Sequence, residues 1–204
     1  YDEIVHISLS HNLSSAYRNA LLAAEKFDGK VKVFDSLSLS TGIALQVIYA
    51  SELRDEGKSS EEIISSLEKR RGHAQASFVL NTLSYLHKGG RCSAMSNIIG
   101  TLFRIKPQII VTPEGKMVPG KKYMGRGTPV VRKYVEETLE QFPNIDKKHV
   151  FLTHSHATED MVNAAIEVLK EHGVENIHIT LAQATISSHC GPKCLGVLYY
   201  NDKK

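Results

Sequence analysis

Two hydrophobic periods alternate along this chain. Residues 4–9, Ile-Val-His-Ile-Ser-Leu, read as a strand that begins almost at once. A helix is predicted to about residue 26, with Asn12 or Ser14 as its cap and Ala16, Ala20, Leu21 and Ala24 at helical spacing. Gly29 ends it, and 31–34 is a short second strand. Ser40 precedes an apolar helix over 42–55, closed by Gly57. Ser59 opens another that runs to residue 69. Glu61 and Glu62 stand in its first turn, where the helix dipole favours anions. Strand, helix and strand in this order, with helices long enough to cross over, predict parallel strands in an α/β layer.

The pattern changes after residue 74. A strand over 77–80 leads into a helical turn over 82–87, ended by Lys88-Gly89-Gly90-Arg91. Residues 96–103 read as a small apolar helix. The runs 105–111 and 116–124 flank Pro113-Glu114-Gly115-Lys116, a turn signal, and predict an antiparallel hairpin. Helix follows over 128–141, with Pro129 tolerated in its first turn. A strand (150–153), a helix (159–172) and strands 176–182 and 194–200 complete the chain. The expected class is α/β: a parallel-sheet first domain over 1–75 and an α+β second domain with hairpins over 76–204. The abrupt opening, without Met, is what a first domain truncated at its N-terminus looks like.

Composition narrows the function classes. Of 204 residues, 25 are Lys or Arg and 22 are Asp or Glu, so the net charge is +3. That balance makes no case for nucleic acid. A hydrophobic share of 42% argues against disorder. No apolar run approaches the roughly 20 residues of a membrane span, so stable membrane insertion is not expected. Three cysteines, Cys92, Cys190 and Cys194, form an odd count without a targeting signal. They point to a reducing compartment, the cytoplasm, rather than to a disulfide framework. His189 with Cys190 and Cys194 supplies at most three zinc ligands, and no second Cys/His pair has finger spacing. Small thiols are the preferred reading, and no metal is expected.

Six segments could carry chemistry. Residues 8–15, Ser-Leu-Ser-His-Asn-Leu-Ser-Ser, run from a strand into a helix, where unpaired amides accept an anion and Ser10 or Ser14 can add a hydroxyl. Turn and cap duty explains the same residues. Asp35 in the hydroxyl-rich stretch 35–41 suits a structural acceptor better than a metal ligand or an acid. Gly89 and Gly90 allow close backbone approach, and Lys88 and Arg91 can receive an oxyanion. Arg126 stands between two glycines ahead of a helix. His154 and His156 lie at a strand end. His189, before Cys190-Gly191-Pro192-Lys193-Cys194, is held for an anion contact or a proton transfer.

The order of these motifs resembles the DegV family of bacterial fatty-acid-binding proteins. The matching segments are Ile7 to Tyr17, Val33-Phe34-Asp35-Ser36, Tyr85-Leu86-His87-Lys88-Gly89-Gly90-Arg91, Ile105-Lys106-Pro107 with the Glu114-Gly115 turn, the lone Arg126, and His189 to Gly196. The resemblance implies a lipid-binding protein rather than an enzyme, and no cofactor. One long-chain fatty acid would lie buried between two domains, its carboxylate presented to a separate fatty acid kinase that makes an acyl-phosphate. By the resemblance, Ser10 and His189 contact the carboxylate, with His11 and Ser14 in the same loop. Arg126, with His189, stands near the phosphate or the kinase interface, and Arg91 is a neighbour.

The departures from the family pattern are specific. His11 stands for a serine, Ser15 for a glycine, Ala16 for a threonine and Lys193 for a glycine. By the resemblance, a segment with a threonine on the carboxylate would stand ahead of the first strand, which is the part that an N-terminally truncated first domain is expected to lack. Ile98, Ile99, Leu102, Phe103, Ile109 and Val111 are candidates for an acyl tunnel. Two other readings compete. A serine hydrolase would use Ser10 or Ser14 with His189, but no G-x-S-x-G elbow is present. A small anion- or phosphosugar-binding module would use the 8–15 loop, but no dinucleotide fingerprint is present.

Overall fold

The computed structural model describes residues 2–91 and 105–203. The chain divides into two compact units, Tyr1–Ala74 with Thr112–Lys116, and Gln75–Val111 with Met117–Lys204. Cys92 and the expected helix at 96–103, with Ile98, Ile99, Leu102 and Phe103, lie outside the described residues.

The first unit is built on two parallel strands, β1 (Ile4–Ser8) and β2 (Val31–Asp35), in register from Ile4 opposite Val31 to Ser8 opposite Asp35. Helix α1 (Ala16–Ala24) joins them. It starts later than a cap at Asn12 or Ser14 predicts, because residues 10–14 close a turn of their own: Leu13 N and Ser14 N both donate to Ser10 O. Asp28 and Gly29, both at positive φ, end the segment. Helices α2 (Thr41–Asp55) and α3 (Ser60–Arg70) follow. Their apolar sides meet the sheet in a cluster of Phe34, Leu53, Ile63 and Leu67. α3 starts as its sequence predicts: Ser59 Oγ accepts from Glu62 N while Glu62 Oε2 accepts from Ser59 N. That reciprocal box satisfies two amide donors that a helix start leaves unpaired.

The second unit is a six-stranded sheet in the order β5-β4-β3-β8-β6-β7. Its elements are β3 (Ala74–Val79), α4 (Ser84–Lys88), β4 (Ile105–Val111), β5 (Met117–Met124), α5 (Thr128–Gln141), β6 (Val150–Ser155), α6 (Glu159–Glu171), β7 (Ile177–Leu181), α7 (Ala184–Cys190) and β8 (Cys194–Tyr200). β4 and β5 form the predicted hairpin, β6 pairs parallel with β7 across α6, and β8 runs antiparallel to β6. α7 is absent from the sequence expectation. Its Ala-Thr-Ile-Ser-Ser-His-Cys composition favours turns and caps over helix, and packing of Ile186 against Leu80, Leu83 and Leu86 supplies what propensity does not.

β8 is buried along its whole length, as a central strand must be, and successive side chains point to opposite faces. Leu195, Val197 and Tyr199 join the cluster under α5 and α6, whereas Cys194 joins the one under α4 and α7. Tyr134 of α5 ties this arrangement together. Its fully buried hydroxyl donates to Ser77 O at 2.8 Å and accepts from Val197 N at 3.1 Å. Burial pushes this phenol well above its ordinary range. Tyr134→Phe leaves the Val197 amide without its acceptor and is expected to cost about 1–3 kcal/mol. Urea unfolding followed by circular dichroism checks it; an unchanged midpoint would show that the bond contributes nothing.

Candidate functional site

In the first unit the 8–15 loop is organised by one hydroxyl. Ser10 is fully buried. Its Oγ donates to Gly115 O at 2.8 Å and accepts from Asn12 N at 3.2 Å. Asn12 Nδ2 donates to Glu114 O at 2.8 Å, so the tip of the 112–116 turn is held twice. Gly115 is at φ +75°, and a β-carbon there would stand 2.2 Å from Ser10 Oγ. The Ser10 proton is therefore engaged inside the fold. Ser14 Oγ accepts from Ala16 N at 3.2 Å, the cap-like duty that competes with a ligand contact.

Asp35 joins the two loops. Its Oδ2 lies 2.5 Å from His11 Nδ1, and its Oδ1 accepts from Leu37 N at 3.0 Å. Arg71 donates to Asp35 O at 3.2 Å. The carboxylate is buried and His11 is half-exposed, so the imidazole is positioned from behind with one edge open. Sequence reasoning took His11 and Asp35 as members of separate stretches. The parallel register that sets Ser8 opposite Asp35 is what brings them together.

Ser38 is the residue sequence reasoning did not single out. It lies at 1% exposure, its main-chain oxygen accepts from Ser10 N at 3.0 Å, and its hydroxyl has no partner among the described residues. A buried unpaired hydroxyl costs free energy unless something occupies it. Three serines in five residues, Ser36, Ser38 and Ser40, carried the signal, but not which one would be left over.

In the second unit, the Lys88–Arg91 and His189–Gly196 motifs prove to be partners. A β-carbon on Gly89 would stand 2.1 Å from His189 Nδ1, and one on Gly191 would stand 2.4 Å from the Tyr85 ring. Each glycine thus lies under a ring from the other helix. His189 Nδ1 is buried against Gly89 without a hydrogen-bond partner among the described residues, which leaves Nε2 as the nitrogen for an outside contact. Arg91 folds back, its Nη1 donating to Gly89 O at 2.8 Å. Cys190 and Cys194 are buried free thiols. The hydrogen bond to Cys190, together with burial, holds the Cys194 thiol far above its usual range. His154 is held below its ordinary value by burial and by His156, and His156 turns away from the strand at φ +49°.

Arg126 is exposed on the Gly125–Gly127 segment and borders a cavity of about 430 Å³ with Lys106 and Lys193. Of the tunnel candidates, Ile109 and Val111 are buried in β4, and Ile109 packs with Leu80, Leu83 and Leu86 as ordinary core. Among the described residues no three of His, Cys, Asp and Glu gather as a metal site, and no helix is long and apolar enough to cross a membrane.

A family profile described as "Uncharacterised protein, DegV family" matches residues 1–202. The chain belongs to the DegV family. A DegV domain-containing protein of Clostridium perfringens is 29% identical across 98% of this chain and 70% of its own length. A Thermotoga maritima relative described as a fatty acid-binding protein is 28% identical across 96% of this chain and 68% of its own length. The crystal structure of a Thermus thermophilus DegV family protein, described by its fatty acid binding, superposes with TM-score 0.85 at 28% identity, covering 98% of this chain and 71% of that one. The α/β fold is thus that of DegV proteins, relatives of which bind fatty acids.

Gly89→Ala tests the interlock of the two DegV motifs. Overpacking against His189 is expected to cost about 1–3 kcal/mol and to move the ring. The urea midpoint and the His189 ring resonances in NMR report each effect, and unchanged values for both would contradict the close approach.

Proposed function

We propose that this DegV chain binds one long-chain fatty acid in a buried tunnel. It presents the carboxylate to a separate fatty acid kinase for acyl-phosphate formation, as a substrate-carrying subunit in the cytoplasm rather than the phosphoryl-transfer enzyme. Family membership and the fatty acid binding of relatives support the ligand class. The observation that carries the head-group assignment is the buried, unpartnered hydroxyl of Ser38 beside the Ser10 loop.

A carboxylate leaving water must receive hydrogen bonds. On this reading Ser10 holds the loop in shape, Ser38 donates to the carboxylate, and His11 and Ser14 border it. His189 offers Nε2 to the head group, and its ring is held by Gly89. Arg126, with His189, serves the phosphate in the kinase step, and Arg91 is their neighbour. An acyl chain adds about 0.8 kcal/mol for each buried CH₂, so it dominates affinity while the head group sets orientation.

A serine hydrolase is the weaker account. Ser10 gives its proton to Gly115 O, Ser14 caps the approach to α1, and the carboxylate a triad would need from Asp35 is already paired with His11.

Titration with a fluorescent fatty acid, in parallel with acyl-phosphate formation by a fatty acid kinase, tests the assignment. Ser38→Ala is expected to weaken binding about tenfold, the loss of one charge-assisted bond. Arg126→Ala and His189→Ala are expected to lower acyl-phosphate formation more than binding. Unchanged binding in Ser38→Ala, with unchanged turnover in the other two, would overturn these roles.

A further inference from the structure

Cys190 and Cys194 are buried reactive groups that the proposed function leaves unused. Cys190 is the last residue of α7 and Cys194 the first of β8, with only the 191–193 turn between them. Both thiols are free, at 5% and 6% exposure, and both join the cluster of Leu80, Leu83, Leu86 and Ile109. Within that apolar cluster each is the other's partner, Cys194 donating a hydrogen bond to the Cys190 sulfur. Cys190 Sγ also lies 3.6 Å from Gly191 O.

Main chain sets this approach. Gly191 at φ +72° and Lys193 at φ +60° let three residues reverse the chain from helix to strand. Gly191 N donates to Ser187 O at 2.8 Å and Lys193 N to Ser155 O at 2.6 Å. Ser155 is also the residue of β6 that stands opposite Cys194. One end of the turn is thus anchored on α7 and the other on β6. The pair is chemically unequal. The bond from Cys194 holds the Cys190 thiol below its ordinary range despite burial, and the same bond with burial holds Cys194 far above. The thiolate is the form that attacks an oxidant, so Cys190 reacts first and Cys194 resolves it. Burial of both thiols excludes a bulky disulfide as oxidant and selects a small one.

We propose that Cys190 and Cys194 are a redox modification site, which hydrogen peroxide closes into a reversible disulfide that displaces the His189 ring. The Cys190 sulfur attacks a peroxide oxygen, the O–O bond breaks, and a sulfenic acid and one water result. The Cys194 sulfur then displaces the hydroxyl from Cys190 and gives it its proton. The S–S bond forms and a second water leaves. Two thiols are oxidised and one peroxide is reduced. A disulfide holds its sulfurs about 2.05 Å apart, closer than hydrogen-bonded thiols, so the end of α7 and the start of β8 must draw together. Gly191 already lies against the Tyr85 ring and Gly89 against His189 Nδ1. The movement therefore passes to His189, the residue next to Cys190. Disulfides formed where thiols are kept reduced are transient, which suits a site that reports oxidant and is then reset. The inference rests on the thiols and the ring beside them and does not depend on fatty acid binding.

The full chain, reduced and then treated with hydrogen peroxide, tests it. Free thiols are blocked, and the protein is digested with trypsin, which cuts after Lys193 between the two cysteines. Mass mapping without reduction is expected to find the peptides on either side of Lys193 joined, with the loss of two hydrogens, and dithiothreitol to separate them. Cys190→Ala and Cys194→Ala should each lose the link, and Cys194→Ala should leave a sulfenic acid at Cys190 that dimedone traps. The His189 ring resonances in NMR should shift when the wild type is oxidised, return when it is reduced, and stay still in peroxide-treated Cys190→Ala. Cys190 and Cys194 both free after peroxide, a link from Cys92 to either of them, or His189 resonances that do not move once the link has formed would overturn the proposal.

Discussion

At Gly89 a methyl group would stand 2.1 Å from the imidazole of His189, at Gly191 it would stand 2.4 Å from the ring of Tyr85, and at Gly115 it would meet the Ser10 hydroxyl at 2.2 Å. These are backbone approaches that any side chain would block. In the second unit they lock α4 to α7 reciprocally, so His189, the buried thiols and the 191–193 turn share one rigid support. In the first unit the same device fixes the 112–116 turn to the Ser10 loop, and through Ser10 N to Ser38 O it sets the second hydroxyl-rich loop as well. The residues that the DegV resemblance assigns to a head group are thus held by main chain. Their geometry is insensitive to the rotamer freedom of long side chains.

Much of the framework was legible because it rests on local physics. The α3 start followed from Ser59 and Glu62, the β4–β5 hairpin from Pro113 to Lys116, and α5 from Pro129 behind a glycine. These signals act over three or four residues. α7 was not legible, since its residues prefer turns and only the Leu80–Leu86 cluster makes them helical. α1 begins after its predicted caps because the backbone of residues 10–14 closes a turn on Ser10 O, and Ser14 Oγ meets the helix only at Ala16 N.

The site was legible as a set of motifs and not as a set of contacts. Motif order pointed to the family, yet it could not say that Lys88–Arg91 and His189–Gly196 pack on one another, a pairing across about 100 residues of sequence. Nor could it say that Asp35 would pair with His11, or that Ser10 would spend its proton on Gly115 while Ser38 keeps its own free. Such choices depend on strand register and on which hydroxyl faces a neighbouring carbonyl. Lys193 is the instructive departure. As sequence it is a cation in place of a glycine; in the fold it completes a three-cation cavity.

The central claim is that the interior of this protein accommodates a long-chain fatty acid. Native mass spectrometry of the purified chain, followed by organic extraction and mass analysis of the extract, tests it most directly. The account predicts an adduct of one fatty acid per chain, recovered as a long-chain acid in the extract. A protein that stays lipid-free after purification, and takes up none when offered a fatty acid mixture, would contradict it.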